Sequence, residues 1–286
     1  MTPTPAPPAT TRDEGIRIVV TGKGGVGKTT ICAALARLLA REGRRTLAVD
    51  ADAQLNLAAA LGMPRTEAET LVPLSHHGDY IAEKTGARPG DAFGPLMRLN
   101  PDVDDVVDRF GQRAPDGVRF LAMGTLSGAG GGCLCPENTL LERTIRAIGL
   151  RDGEAIVLDT QAGVEHFGRA LARGFGHAIV VTDPTYSGIG VALSAARLAR
   201  DLGIGRVHLA VNRIRTPDDR RRARSEIEAR CDGLEFDSWT WLPYDEDVLA
   251  AEPSVELLLS SPSAPFIAAV HALAQSVTGI PTEAIA

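Results

Sequence analysis

The segment Gly22-Lys23-Gly24-Gly25-Val26-Gly27-Lys28-Thr29 constrains this chain more than any other feature. It fits G-x-x-x-x-G-K-[ST], a pattern that works where a strand hands over to a helix, because the loop must aim consecutive backbone N–H groups at one anion. Apolar Ile16–Thr21 precedes it and a helical pattern, Thr29–Arg41, follows. Glycines permit the curl, Lys28 has the reach to meet β- and γ-phosphates, and the Thr29 hydroxyl suits Mg²⁺. Thr30 continues the helix N-terminus behind it. Only three lysines occur, Lys23, Lys28 and Lys84, and two of them lie in this loop.

The remainder of the chain has the pattern such a loop requires. Short runs rich in Val and Ile alternate with helical patterns, as expected for strands buried on both faces. The strand candidates are Ile16–Thr21, Arg45–Asp50, Val118–Ala122, Ala155–Asp159, Ala178–Thr182, Val207–Val211 and Phe236–Trp241. Helical patterns occupy Thr29–Arg41, Pro136–Ile148, Ile189–Leu202, Pro217–Arg230 and Pro265–Val277. Thr216, Pro217, Asp218 and Asp219 supply an N-cap, a first-turn proline and first-turn acids. The reading is an α/β fold: a doubly wound, mostly parallel sheet in three layers, α/β/α. Residues 1–15 read as a flexible tail and 16–286 as one domain. Residues 62–117 are too long for plain loop and should hold helices and a small excursion from the sheet.

Composition narrows the class further. With 44% hydrophobic and 23% charged residues in 286, the chain is neither disordered nor fibrous. No apolar stretch reaches the ~20 residues that span a bilayer, and the start lacks the order of a signal peptide, so a cytoplasmic location without membrane association is expected. Cys32, Cys133, Cys135 and Cys231 are too few and too unevenly placed for a disulfide framework.

Carboxylates at strand ends complete the phosphate site, because ligands of such sheets bind at the carboxyl ends of the strands. Asp159 closes Ala155-Ile156-Val157-Leu158 and is placed to hold Mg²⁺ through water; Asp50 and Asp52 close the second strand in a similar place, and Asp50 is expected to hold Mg²⁺ with Thr29 and Asp159, directly or through water.

Lys23 goes beyond the generic loop. The run GKGGVGKTT resembles the deviant Walker A motif of the MinD/ParA/nitrogenase-iron-protein/ArsA class of dimeric ATPases. The resemblance implies that Lys23 crosses a homodimer interface to the partner's phosphates, that ATP closes the dimer and that hydrolysis releases it. It also implies that Asp52, in Asp50-Ala51-Asp52-Ala53-Gln54, positions the attacking water, although Ala53 stands where the class often has Pro. Asp159-Thr160-Gln161-Ala162-Gly163 would be the second switch. Asn212 and the segment Leu242-Pro243-Tyr244-Asp245 resemble the elements that recognise adenine.

Cys133 and Cys135, one residue apart before a helix, supply two soft ligands, half of a tetrahedral zinc or square-planar nickel site. Two copies across a two-fold axis supply four. Gly132-Cys133-Leu134-Cys135-Pro136-Glu137-Asn138, Ala162-Gly163-Val164-Glu165-His166-Phe167-Gly168-Arg169 and Thr85-Gly86-Ala87-Arg88-Pro89-Gly90 resemble signature stretches of the carbon monoxide dehydrogenase accessory ATPases of the CooC type. That resemblance implies a nickel- or zinc-binding site of four cysteines shared between subunits, and ATP turnover in support of nickel delivery to an apo metalloenzyme client such as carbon monoxide dehydrogenase. Gln161 departs from relatives with an acid at that position; a neutral amide orients water but takes no proton at pH 7. Glu165 and His166 could contact metal or partner.

Rival functions are less well served. A ParA- or MinD-like ATPase that partitions DNA or positions cargo is the alternative. Its nucleic-acid contacts would fall to Arg213, Arg215, Arg220, Arg221, Arg222 and Arg224, but Asp218, Asp219, Glu226 and Glu228 interrupt them and the net charge is −6. No Lys or Arg follows Arg230, against a basic membrane helix at the C-terminus. A nitrogenase-like iron–sulfur cluster draws on two well-separated cysteines per subunit rather than a tight pair.

Overall fold

The computed structural model describes residues 15–88, 98, 101–124, 135–148, 153–163, 172, 174–261 and 264–279. Eight strands form one sheet in the order β3-β4-β2-β5-β1-β6-β7-β8. They are β1 (Ile16–Gly22), β2 (Arg45–Ala51), β3 (Gln112–Arg113), β4 (Arg119–Ala122), β5 (Glu154–Thr160), β6 (His177–Thr182), β7 (Arg206–Ile214) and β8 (Ser238–Pro243). Every pairing is parallel except β3 with β4. The chain builds one half of the sheet outward from β1, returns through β5, and builds the other half from β6 to β8. Strand order therefore reverses at β1, and the crevice beyond its carboxyl end is where such sheets take ligands.

Both faces of the sheet are covered, which is why the strands read as unbroken apolar runs. Alternation within those runs divides the core. Ile18, Val20, Ala155 and Val157 join one cluster with the helices Lys28–Arg41 and Pro265–Thr278. Val19, Ile156 and Leu158 join the other with the helices Cys135–Ala147 and Tyr186–Asp201. The expected doubly wound three-layer arrangement is what the chain adopts.

Residues between β2 and β4 depart from the regular repeat, as their length required. Short helices at Gly78–Thr85 and Val106–Phe110 pack Tyr80, Ile81 and Val106 onto the second core cluster, while the one at Arg65–Glu69 sets Ala68 against the first. β3 is an antiparallel edge of two exposed residues, too short for any periodicity to announce it. Observed strands extend one to three residues past several sequence boundaries, because terminal pairing continues after the apolar pattern has stopped. Among the described residues no helix is long and apolar enough to cross a membrane.

Candidate nucleotide site

The loop between β1 and the first helix sits at the reversal point, and its glycines are used individually. Gly22 has φ 149°, and a Cβ there would overlap the Val181 carbonyl of β6. Gly27 has φ 96° and serves as the helix N-cap residue, with no side chain closing the turn. The first-turn N–H groups of Lys28–Arg41 have no intrahelical partners, so they and the helix dipole face the cleft as an anion site.

Lys28 is 7% exposed, and its Nζ donates to the Lys23 carbonyl at 3.2 Å, across the loop mouth. Thr29 Oγ1 donates to Asp159 Oδ2 at 2.6 Å. Asp159 is 1% exposed, its Oδ1 has no hydrogen-bond partner, and burial pushes its carboxyl up to about 6. A carboxylate this deep holds its charge only beside a cation. A hydroxyl and a half-unsatisfied carboxylate on adjoining elements are hard oxygen donors that fit Mg²⁺, with Lys28 close enough to lower the cost. Cys32, one turn into the helix, lies fully buried; burial first and then Asp159 push its thiol well above the usual range, so it is an inert filler.

Asp50 and Asp52 separate into different tasks. Asp50 is fully buried, with Oδ1 accepting from Asp52 N and Oδ2 from Leu57 N, both at 2.9 Å. Burial and the neighbouring Asp159 push it up to about 7. Its two backbone bonds shape the 52–57 loop and start the Leu57–Ala60 helix, so the direct geometry is that of a loop organiser. Asp52, partly exposed, accepts from Gln54 N at 3.1 Å and lines the cleft. Asp50 thus sets where Asp52 stands.

The cleft itself measures about 540 Å³. Gly24, Gly25, Gly27, Lys28, Thr29 and Thr30 form its phosphate end, and Asn212, Pro243, Tyr244 and Asp245 its far wall. Val26 is buried beneath the loop. Asp245 Oδ1 caps the Glu246–Ala250 helix through Asp247 N at 3.0 Å. That helix and Pro265–Thr278 add Val248, Leu249 and Phe266, an apolar wall suited to a flat ring. Sequence reasoning missed this wall; its signal was the apolar pattern after Asp245, which reads equally well as ordinary core. It also missed Ser187, whose Oγ accepts from Lys23 Nζ at 2.9 Å. The two are far apart in sequence, and only the fold joins them.

Gly163 N donates to the Gly22 carbonyl at 3.2 Å, tying the segment after Asp159 to the phosphate loop. Gln161 Oε1 is buried and unpartnered, an acceptor of the neutral kind expected. Cys133, Glu165 and His166 lie outside the described residues. Cys135 is the first residue of its helix, one position ahead of the expected start at Pro136. Among the described residues no group of three or more His, Cys, Asp or Glu side chains is gathered to hold a metal.

These features define a nucleotide-binding α/β domain, and comparisons agree. The sequence model of the CobQ/CobB/MinD/ParA nucleotide binding domain matches residues 17–257, and the chain belongs to that family of ATP-binding ATPases. Within it, the chain is 38% identical over 237 residues to the carbon monoxide dehydrogenase accessory protein CooC of Rhodospirillum rubrum, covering 83% of this chain and 87% of the relative. The CooC-type resemblance read from the sequence is supported at that level. An uncharacterised ATP-binding protein of Methanocaldococcus jannaschii is also 38% identical, over 83% of this chain and 88% of its own length. Among solved structures, the MinD cell division protein of Aquifex aeolicus superposes with a TM-score of 0.64 at 21% identity, over 94% of this chain and 98% of that one, a likeness of fold.

Proposed function

We propose that this protein is an ATP-dependent metallochaperone: a homodimer that hydrolyses ATP to support nickel delivery to an apo metalloenzyme such as carbon monoxide dehydrogenase. The observation that carries the reading is the Cys-x-Cys sequence of Cys133 and Cys135, the second of which begins a helix, in a chain that shares 38% identity with CooC. Two pairs brought together across a two-fold axis make a four-thiolate site for Ni²⁺ or Zn²⁺ as cargo.

The nucleotide end supplies the drive. Backbone N–H groups of the loop and Lys28 bind the phosphates, Thr29 and Asp159 hold Mg²⁺, and Asp52 orients the attacking water. The metal, when bound, neutralises charge on the phosphates as the terminal bond breaks. Lys23 is the residue that meets the second subunit. In the single chain its ammonium rests on Ser187 at the surface. Dimer closure takes it to the partner's phosphates, and Gln161 leaves water orientation rather than proton removal to the second switch.

A partitioning or cargo-positioning role draws less support. Asp218, Asp219 and Glu228 bond Arg221, Arg222 and Arg224, so these guanidinium groups already have anionic partners.

The deciding experiment is elemental analysis of metal per dimer, with and without ATP and Mg²⁺, on the native chain and on the Cys133→Ser/Cys135→Ser variant. The expected result is stoichiometric metal that the double substitution abolishes while ATP binding stays intact. Unchanged metal content, or a single-chain species by light scattering with ATP and Mg²⁺ bound, would overturn the reading.

A further inference from the structure

The helix Pro217–Arg230 has almost no apolar face; Ala223 and Ile227 are its buried residues. It meets β8, the last strand of the sheet, through a row of guanidinium groups. Arg220 Cζ lies 5.0 Å from the centre of the Trp241 rings, and Arg224 Cζ 5.7 Å from that of Trp239. The match follows from pitch. Four residues of helix rise about 6 Å and two residues of strand about 6.6 Å, so an i, i+4 pair of arginines registers on an i, i+2 pair of rings. Arg215, just before the helix, continues the row over Tyr244 at 4.2 Å.

Members of the row are finished differently. Arg224 is bonded to Glu228, and its neighbours Arg221 and Arg222 to Asp218 and Asp219. Arg215 and Arg220 are exposed, and among the described residues neither guanidinium is paired with a carboxylate. An apolar side chain would cover the same rings equally well. What arginine adds is a planar fork of N–H donors, and a ring against its face leaves those donors, which lie in the plane, open to a partner. Stacking also removes in advance much of the rotamer freedom that docking would cost.

The surroundings specify the partner's chemistry. Asp218 and Glu228 stand on the helix side, and exposed Glu246 and Asp247 follow Tyr244. A nucleic acid duplex, charged at every step, would set phosphates against these carboxylates. A protein segment whose carboxylates are spaced apart can place one on each open fork and stay clear of the acidic flanks.

We infer that Arg215 and Arg220 anchor a docking surface for an acidic segment of a partner protein. The surface adjoins the nucleotide cleft, because Tyr244 lines that cleft and also carries Arg215. This inference needs only the folded chain; it is independent of metal delivery and of dimer formation.

The chain's two tryptophans, Trp239 and Trp241, both lie in the row, so their fluorescence reports on it without a label. Emission is followed at low salt while a capped peptide of alternating glutamate and serine, its lysine counterpart or duplex DNA is added. The proteins are the native chain, Arg215→Gln/Arg220→Gln and Arg221→Gln, whose guanidinium already has Asp218. The glutamate peptide should shift native emission; the double substitution should weaken its binding at least about tenfold, and Arg221→Gln less than about twofold. Urea unfolding of each variant identifies a loss of fold. Where the double variant is unfolded, Arg215→Lys/Arg220→Lys, which keeps the charge but not the planar fork, replaces it with the same direction expected. No response to the glutamate peptide, equal losses in the double variant and Arg221→Gln, or lysine peptide or DNA binding as tightly would overturn the assignment.

Discussion

The helix Lys28–Arg41 carries buried charge at both of its ends, and the two ends are finished differently. At the first turn, Lys28 and Thr29 face an Asp159 whose Oδ1 is left without a partner. Toward the last turn, Arg37 is 1% exposed and paired through two of its nitrogens: Asp116 accepts from Nε at 2.6 Å, Leu61 O from Nη1 at 3.3 Å, and Glu256 from the same nitrogen. Arg41 adds a second bond to Asp116 at 2.9 Å. A buried charge whose partners are all internal fastens elements together; here the first helix, the 61–62 turn, the 115–117 turn and the helix at Glu256–Leu259. A buried carboxylate left half-satisfied is completed from outside. Architecture and ligand site can be told apart along one helix by that count of partners alone.

Substitutions at the two ends should therefore move different quantities. Asp159→Asn should cut ATP turnover by about 100-fold or more while leaving the nucleotide-free protein as resistant to urea as before, or more so, since it removes a buried charge without its cation. If that variant instead unfolds readily while turnover persists, the two ends are not different in kind. Arg37→Met should do the reverse: a loss of about 3–5 kcal/mol in urea unfolding, with ATP stoichiometry of the folded fraction retained. A change below about 1 kcal/mol would mean that the Asp116 and Glu256 contacts are ornamental.

A third polar group sharpens the comparison from the amino ends of β6, β7 and β8. His177 Nδ1 and His208 Nε2 lie 3.0 Å apart, His208 Nδ1 meets Ser238 Oγ at 2.8 Å, and Ser238 passes the chain to Ser276 at 3.1 Å. Burial, with Arg206 beside His177 and His177 beside His208, lowers both imidazoles to about 4, against the pull of Asp237. Native imidazoles thus stay neutral where unfolded ones protonate, near 6.5. The unfolded chain binds more protons between these values, so stability should fall as pH drops from about 6.5 to about 4. The double variant His177→Gln/His208→Gln should flatten that slope in urea titrations across the window; an unaltered slope would remove the pair from the account of acid sensitivity. Smallest of all, Thr216→Ala should cost about 1 kcal/mol, because it breaks only the capping box in which Thr216 Oγ1 accepts from Asp219 N at 3.1 Å.

The phosphate end was legible in the sequence because its geometry is local. Gly22 to Thr29 announces its curl through its own glycines and lysine, and the strand-end Asp159 follows from the apolar run before it. Arg37 was missed although a signal existed: residues 31–39 are apolar on every side of the helix apart from Arg37 itself, and a helix apolar all round leaves no wet place for an unpaired cation. Its partners Asp116 and Glu256 lie in a three-residue turn and at the start of a four-residue helix, both too short to carry a pattern of their own. Asn212 was legible as part of the site, through resemblance, but its hydrogen bonds to the Val26 carbonyl and Arg213 N sit beside a shift of register between β7 and β8 that no single-strand pattern encodes. Short elements between residues 62 and 117 were expected as a class and could not be placed, since their packing rather than their periodicity fixes them.

The resting place of Lys23 has a consequence for rates. A long ammonium side chain in water wanders among many rotamers, and freezing it on an anion gives up most of that freedom at the moment of engagement. Ser187 restricts the wandering in advance, through a surface bond weak enough to exchange within nanoseconds. In the proposed role of Lys23, the ammonium that meets a phosphate starts from a narrower distribution, and part of the entropic cost of that encounter is already met.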